Sequence, residues 1–196
     1  MEVVFTNYSF YIEEMNWTPF SIAAHHVDKI VSPGHANGPE LAKKYVYKIP
    51  EVSTQALKGV QLARDLNLDL IMERSVPDPF MSNLLGETII MFEDSYSQKL
   101  NVSPKLTLIA KIDGMSRGGS DITIVIRDRY VKELYPETQE QTEAKLLATL
   151  AVWGANRGVY YFENLDEKIE LNIEDDWEKW YGSMEKKLIE WSETLV

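Results

Sequence analysis

Three groups of side chains in this 196-residue sequence have types and spacings that can do chemistry. The first is His25-His26 with His35. Imidazole is the commonest metal ligand, but adjacent histidines on a strand point to opposite faces. The nine-residue interval to His35 is not a recognised ligand spacing either, so an ordinary polar segment competes with a metal site. The second is Lys43, Lys44 and Lys48 interleaved with Tyr45 and Tyr47, the only basic-aromatic cluster in the chain. Ammonium groups for phosphates and rings for bases are what a single-stranded nucleic acid needs. An edge strand whose lysines discourage pairing with other chains is the competing reading. The third group is carboxylates near strand-like ends: Asp113 before Gly114, and Asp128 between Arg127 and Arg129. Aspartate before glycine is an ordinary turn former, and an acid between two arginines is an ordinary surface ion cluster.

Several chemistries are excluded. The chain has no cysteine, which removes disulfides, thiolate zinc sites, iron–sulfur clusters and cysteine nucleophiles together. The loop from Gly114 to Gly119 has no Lys-Ser/Thr and opens no helix, so it is not a phosphate-binding P-loop. Pro77-Asp78 lies between breakers and reads as turn chemistry. Acids number 31 against 20 basic residues, a net charge of −11, which argues against holding nucleic acid mainly by long-range charge. Residues 163–193 hold 11 acids and 4 lysines, a net of −7, so the remaining residues carry only −4. Local field, not the total, decides where a phosphate can dock. Hydrophobic residues at 44% and charged residues at 26% are ordinary for a folded domain. The longest apolar runs, such as Leu146–Trp153, are far too short to span a bilayer, and no leader is visible. The expectation is one acidic, cytoplasmic domain with no membrane segment.

Those side chains need elements to hold them. Ser53 with Ala56, Leu57, Val60, Ala63 and Leu66 predicts a helix ending near Asn67. Glu87–Phe92, Lys105–Asp113 and Asp121–Tyr130 predict three strands, the last two joined as an antiparallel hairpin by the glycine-rich loop. Thr138 and Gln141 form a capping-box pattern ahead of the apolar body Ala144–Trp153. Val159–Phe162 and the alternating Ile169, Leu171 and Ile173 predict two more strands. A terminal helix carries Trp177, Trp180, Tyr181, Met184, Leu188 and Trp191 on one stripe, read as a packing face or a partner-docking face. The order is helix, three strands, helix, strand, then a strand and a helix. Residues 1–52 are expected to form an irregular lobe or an extension of the sheet, and residues 53–196 the core.

From about Gly59 to Trp191 the sequence resembles the PD-(D/E)XK nuclease superfamily, in particular its RecB-like exonuclease branch. Leu108-Ile109-Ala110-Lys111-Ile112-Asp113-Gly114 is similar to that branch's strand ending in a metal-binding aspartate. Strand, helix, strand and helix then follow in its order. The resemblance implies an α/β (α+β) fold: a mixed central sheet with an αβββαβ restriction-endonuclease-like core and flanking helices. It also implies carboxylates holding Mg2+ or Mn2+, hard ions that prefer oxygen. The ion would acidify a water and stabilise charge on phosphate, with a lysine beside it. The sequence departs from the D-x-K pattern of the second strand. Val125-Ile126-Arg127 keeps a cation without the acid, and Asp128-Arg129-Tyr130 keeps an acid without the cation. Gln141 is present in the helix motif without its tyrosine, and Ala63 stands where a histidine would supply a ligand.

On this resemblance Asp113, Asp128 and Lys132 are the expected catalytic residues and Asp113, Asp128 and Glu73 the expected metal ligands. Glu87 completes the acid pool, and Arg127 is the alternative cation. The function implied is a metal-dependent nuclease-like protein acting on DNA ends or single strands. Two alternatives stand beside it. One is a catalytically inactive nuclease-fold interaction or assembly subunit, of the kind a phage or mobile element would carry, with a protein partner on the C-terminal helix. The other is an acidic DNA-mimic inhibitor.

Overall fold

A computed structural model describes residues 18–32, 34, 36–48, 68–117, 121–173 and 177–196. The expected helix over 53–66, the Gly59–Ala63 segment, His35 and the Gly118-Gly119 pair lie outside them. The centre of the molecule is a meander. Strand β3 (Ile89–Asn101) turns into β4 (Leu106–Ser116), which pairs antiparallel with β5 (Thr123–Asp128). The expected hairpin is therefore present. The first strand is longer than the Glu87–Phe92 run, because its pairing with β4 continues to Asn101 after a register shift between Met91 and Tyr96.

A helix (Pro136–Trp153) carries the chain from β5 across one face to β6 (Arg157–Phe162), which pairs parallel with β5. A parallel neighbour requires such a crossover. Strand β7 (Glu167–Asn172) then adds antiparallel to β6. Beyond β4 in the strand order come β1 (Phe20–Ala23), parallel to β4 on the edge that β5 also uses, and β2 (Tyr47–Lys48), antiparallel to β1. The result is a mixed seven-stranded sheet among the described residues.

Two short helices, α1 (Asp28–Val31) and α2 (Gly38–Ala42), follow β1. Two more, α3 (Leu68–Arg74) and α4 (Pro79–Leu85), precede β3. The crossover helix is α5, and the terminal helix, Trp177–Ser192, is α6. Helix, three strands, helix, strand is thus the observed order from α4 to β6. The helix in first position is α4, which starts at Pro79, directly after the Pro77-Asp78 dipeptide that reads as turn chemistry. Its signals are local: the Asp78 carboxylate accepts from the Met81 N–H at 2.8 Å, Pro79 begins the first turn, and Gly86 closes it at φ 71°.

Helix α5 begins at Pro136, two residues before Thr138, and no side-chain cap bond forms. The expected capping box is not used, because Pro136, which needs no N–H partner, already starts the helix. Both faces of the sheet are covered, as a mixed sheet with buried strands requires. Leu147, Ala148 and Leu150 of α5 join Ile22, Leu108, Ile112 and Ile124 in the main core, together with Met184, Leu188 and Trp191 of α6. Met81 and Leu85 of α4 pack on Ile89, Val125, Val159 and Tyr161 on the opposite face. The inward face of α6 is therefore a packing face at these positions; the side chains of Trp177 and Trp180 lie outside those described.

Candidate functional site

Strand β4 is the only strand in the described sheet with three neighbours, and that arrangement makes the site. Strand β3 runs along one edge of β4 from Thr107 to Ser116. The other edge is shared. Strand β1 pairs with Leu106–Ile109, and β5 pairs only with Gly114 and Met115. Between them residues 110–113 face a fork, about 13 Å long at 3.3 Å per residue. The backbone groups of a fork need other partners. The indole Nε1 of Trp153 in α5 donates to the Ala110 carbonyl at 3.0 Å. The Asp113 carboxylate takes the Arg127 N–H through Oδ2 at 2.8 Å, so a side chain continues the β4–β5 ladder where the backbone has separated.

The other Asp113 oxygen is supplied from β3. Met91 pairs with Gly114 and Tyr96 with Ile112, so four residues, Phe92–Ser95, bulge opposite one. That bulge re-aims the strand, and Ser95 Oγ donates to Asp113 Oδ1 at 2.8 Å. At the end of β5, Asp128 Oδ1 accepts from the Tyr130 and Val131 N–H groups at 2.7 and 2.8 Å. Its Oδ2 accepts from the Tyr160 hydroxyl at 3.2 Å. Burial, then the charge and hydrogen bond of Asp128, then the charges of Asp113 and Asp28, raise the Tyr160 pKa. Tyr160 therefore reports that these carboxylates surround one neighbourhood.

The structure brings Asp113 and Asp128 to the same end of the sheet. It does not bring Glu73 or Glu87 there. Glu87 pairs with Arg157 at 3.5 Å. Arg157 is opposite Thr123, four residues along β5 from Arg127, or about 13 Å. Helix α3, which carries Glu73, is bound at Met72 and Ser75 by Arg117, just past the far end of β4. Lys132 is exposed beyond the end of β5. The Asp128 turn stops the strand, so the alternation that would place Lys132 beside Tyr130 does not extend to it. Arg127 pairs with Glu163, and Arg129 reaches the same carboxylate at 3.3 Å. Glu163 belongs to the acidic C-terminal stretch, yet it sits at this end of the sheet. The acidity is therefore not wholly away from the site.

All four oxygens of Asp113 and Asp128 already accept hydrogen bonds. Among the described residues no group of three or more His, Asp or Glu side chains is placed to hold a metal ion. A Mg2+ or Mn2+ ion can be held by one or two carboxylates and waters, but an ion here would have to share carboxylate oxygens that already accept hydrogen bonds.

The chain leaving β1 lines the fork's other side. Ala23 pairs with Ile109, so His25 lies near the level of Lys111. His25 and His26 have ring centroids 3.9 Å apart, and His26 stacks on Tyr45 at 3.9 Å and 20°. Lys29 Nζ lies 3.3 Å from His26 Nδ1 and 5.2 Å from the Tyr45 ring centroid. Desolvation, then the charges of Lys145 and Lys29, hold the His25 pKa below its usual value. Desolvation, His25 and Lys29 bring His26 down to about 4. Neither alternation nor spacing marks Ser95, Tyr160 or Lys111 as site residues. The one available signal was Lys145, four residues after Gln141 in the helix motif. A groove of about 480 Å3 lies elsewhere, where α5 begins beside β7, and Glu143, Glu167 and Glu170 line it.

No family model matches the chain, and no curated protein does. Among solved structures it is similar to SSO0001 at 13% identity, covering 95% of this chain and 86% of that one with a TM-score of 0.41. It is also similar to the alkaline exonuclease LHK-Exo of Laribacter hongkongensis at 12% identity, covering 88% of each chain with a TM-score of 0.42, both in one structure and in that of its complex with dAMP. Likenesses at these scores are too distant to carry an argument about the site.

Proposed function

We propose that this chain is a nuclease-like protein of the PD-(D/E)XK type that engages DNA ends or single strands without cleaving them at Asp113. The observation that carries this reading is the full use of both carboxylates. Asp113 closes the β4–β5 ladder, and Asp128 closes the turn after β5. The order from α4 to β6 supports the nuclease-like architecture. Val125, at the position of an acid in the D-x-K pattern, is fully buried in the core beneath α4. Arg127, at the position of the lysine, is engaged by Glu163. The expected assay result is binding of labelled single strands with no degradation in Mg2+ or Mn2+. Asp113→Ala should behave as a stability variant. It leaves the Arg127 N–H and the Ser95 hydroxyl without an acceptor, a cost of about 1–3 kcal/mol, read as a lower midpoint in urea.

The location of Asp113 at the fork favours a second reading, metal-dependent cleavage with Asp113 and Asp128 as ligands. In that case wild type degrades strands only with Mg2+ or Mn2+, and Asp113→Asn loses cleavage with an unchanged melt. That pair of results would overturn the first reading. A protein partner on the outer face of α6, where Lys186 and Glu190 are exposed, is compatible with either reading. Size-exclusion chromatography with light scattering of complexes recovered from the host tests it.

A further inference from the structure

The basic-aromatic cluster of the sequence and the histidine pair meet where His26 stacks on Tyr45. His25 packs against His26 with its ring tilted by 46°. Tyr45 stays 37% exposed and Tyr47 45% exposed. Lys29 lies over the Tyr45 ring, and Lys145 and Lys111 act on His25 through their charge. The segment from Thr18 to Lys48 has four lysines and two acids, a net of +2 in a chain of −11. Of those lysines, Lys43 is taken by Glu40 at 2.8 Å, and Lys29 approaches Asp28 at 3.6 Å. A ring stack with one partly open end and ammonium groups beside it is the chemistry that holds a base and its flanking phosphates.

We propose that the stacked His26–Tyr45 pair and the adjoining His25, with Lys29, Lys111 and Lys145, is a docking site for single-stranded nucleic acid: a base stacks on Tyr45 and the neighbouring phosphates meet the lysines. The inference rests on the nuclease-like reading for where the strand leads, since Lys111 is two residues from Asp113 on β4. It does not rest on that reading for whether a strand is held. Two features separate this corner from a simple edge strand with protective lysines. Lys111 of β4 and Lys145 of α5 act on His25 by charge, and the edge supplies a stacked ring pair with Lys29 beside it.

The test is fluorescence anisotropy of the full-length protein with a labelled twelve-nucleotide oligo-dT, across a salt series. Wild type binds, and binding weakens as salt rises. Tyr45→Leu, which keeps bulk but removes the ring, weakens binding about ten-fold or more. The double variant Lys111→Ala/Lys145→Ala lowers the salt slope by about 1.4, the value for two phosphate contacts on a single strand. Lys186→Ala on the exposed face of α6 binds as wild type. As a second measurement that needs no variant, the His25 and His26 ring signals titrate at higher pH when the oligonucleotide is present, because a bound phosphate favours the imidazolium. Failure of wild type to bind, or equal affinity and slope in all variants, overturns the inference. Degradation of the strand by wild type in Mg2+, with Tyr45→Leu binding unchanged, overturns both this inference and the non-cleaving reading. Binding lost in Tyr45→Leu while wild type degrades the strand overturns only the latter.

Discussion

At the scale of single residues, the molecule turns on substitutions of side chains for backbone. Asp113 and Trp153 complete hydrogen bonds that a continuous strand would have made. A carboxylate in that position is a structural acceptor, and the sequence cannot distinguish it from a ligand, because both need an acid at a strand end. The histidines carry a second residue-scale consequence. The His26 imidazole is held at about 4 against an ordinary 6.5, mainly by desolvation and then by the charges of His25 and Lys29. Between those values the unfolded chain binds the proton more readily than the folded one. Stability is therefore retained above pH 6.5 and lost as pH falls toward 4. Urea melts at pH 7 and pH 4.5 should show wild type losing more stability on acidification than His26→Gln does. An equal loss in both would remove His26 from the account.

At the scale of elements, what was legible was what is local. The strand runs β4, β5, β6 and β7 follow from alternation of Leu108, Ile112, Ile124, Val159 and Ile169 with their neighbours, and α5 follows from its apolar body. The helix α4 was missed although Asp78, Pro79 and Gly86 spell its cap, first turn and stop, because Pro77 and Pro79 read first as breakers. The fork was not legible at all. It depends on β1 adding to β4 across 86 residues of sequence, and no periodicity encodes that register. Two glycines show how tightly the elements meet. A Cβ on Gly158 would lie 2.8 Å from Leu146 Cδ1 and 2.9 Å from Leu150 Cδ2, where α5 sits on β6. Gly158→Ala should cost about 1–3 kcal/mol by overpacking. At Gly114 a Cβ would lie 2.8 Å from the Ile90 carbonyl oxygen and also meet the Met91 sulfur. Backbone yields less than leucine ends, so Gly114→Ala should melt lower than Gly158→Ala. The reverse order would show that β3 can move away from β4 cheaply.

At the scale of the whole molecule, α6 ties the layers together. Its Met184, Leu188 and Trp191 are buried in the main core, and Trp191 Nε1 donates to the Pro39 carbonyl at 2.9 Å. Lys187 reaches the Val31 carbonyl at 3.4 Å. The last helix thus holds the chain between β1 and β2 against the rest, and the aromatic stripe in the sequence is first of all this clamp. Trp191→Ala should cost about 3–5 kcal/mol, with the loss seen equally by tryptophan fluorescence and by far-UV circular dichroism. A separate early transition for the N-terminal layer alone would show that the clamp is local. The charge distribution is also a property of this scale. A net of −11 hides a segment of +2 from Thr18 to Lys48, so the total says little about which face a phosphate can approach.

The long-range parallel pairing of β1 with β4 also sets an order of events. Strands β3 to β5 are joined by short connections and can zip as they emerge, whereas Phe20–Ala23 must wait for a partner strand made from residues 106–109. Closing a loop of that length carries an entropy cost before any contact offsets it. The corner bearing His25 and Tyr45 is therefore assembled last, on a sheet that already exists. During synthesis the residues made first are the ones that find their place last, and the fork stays open on one side until they do.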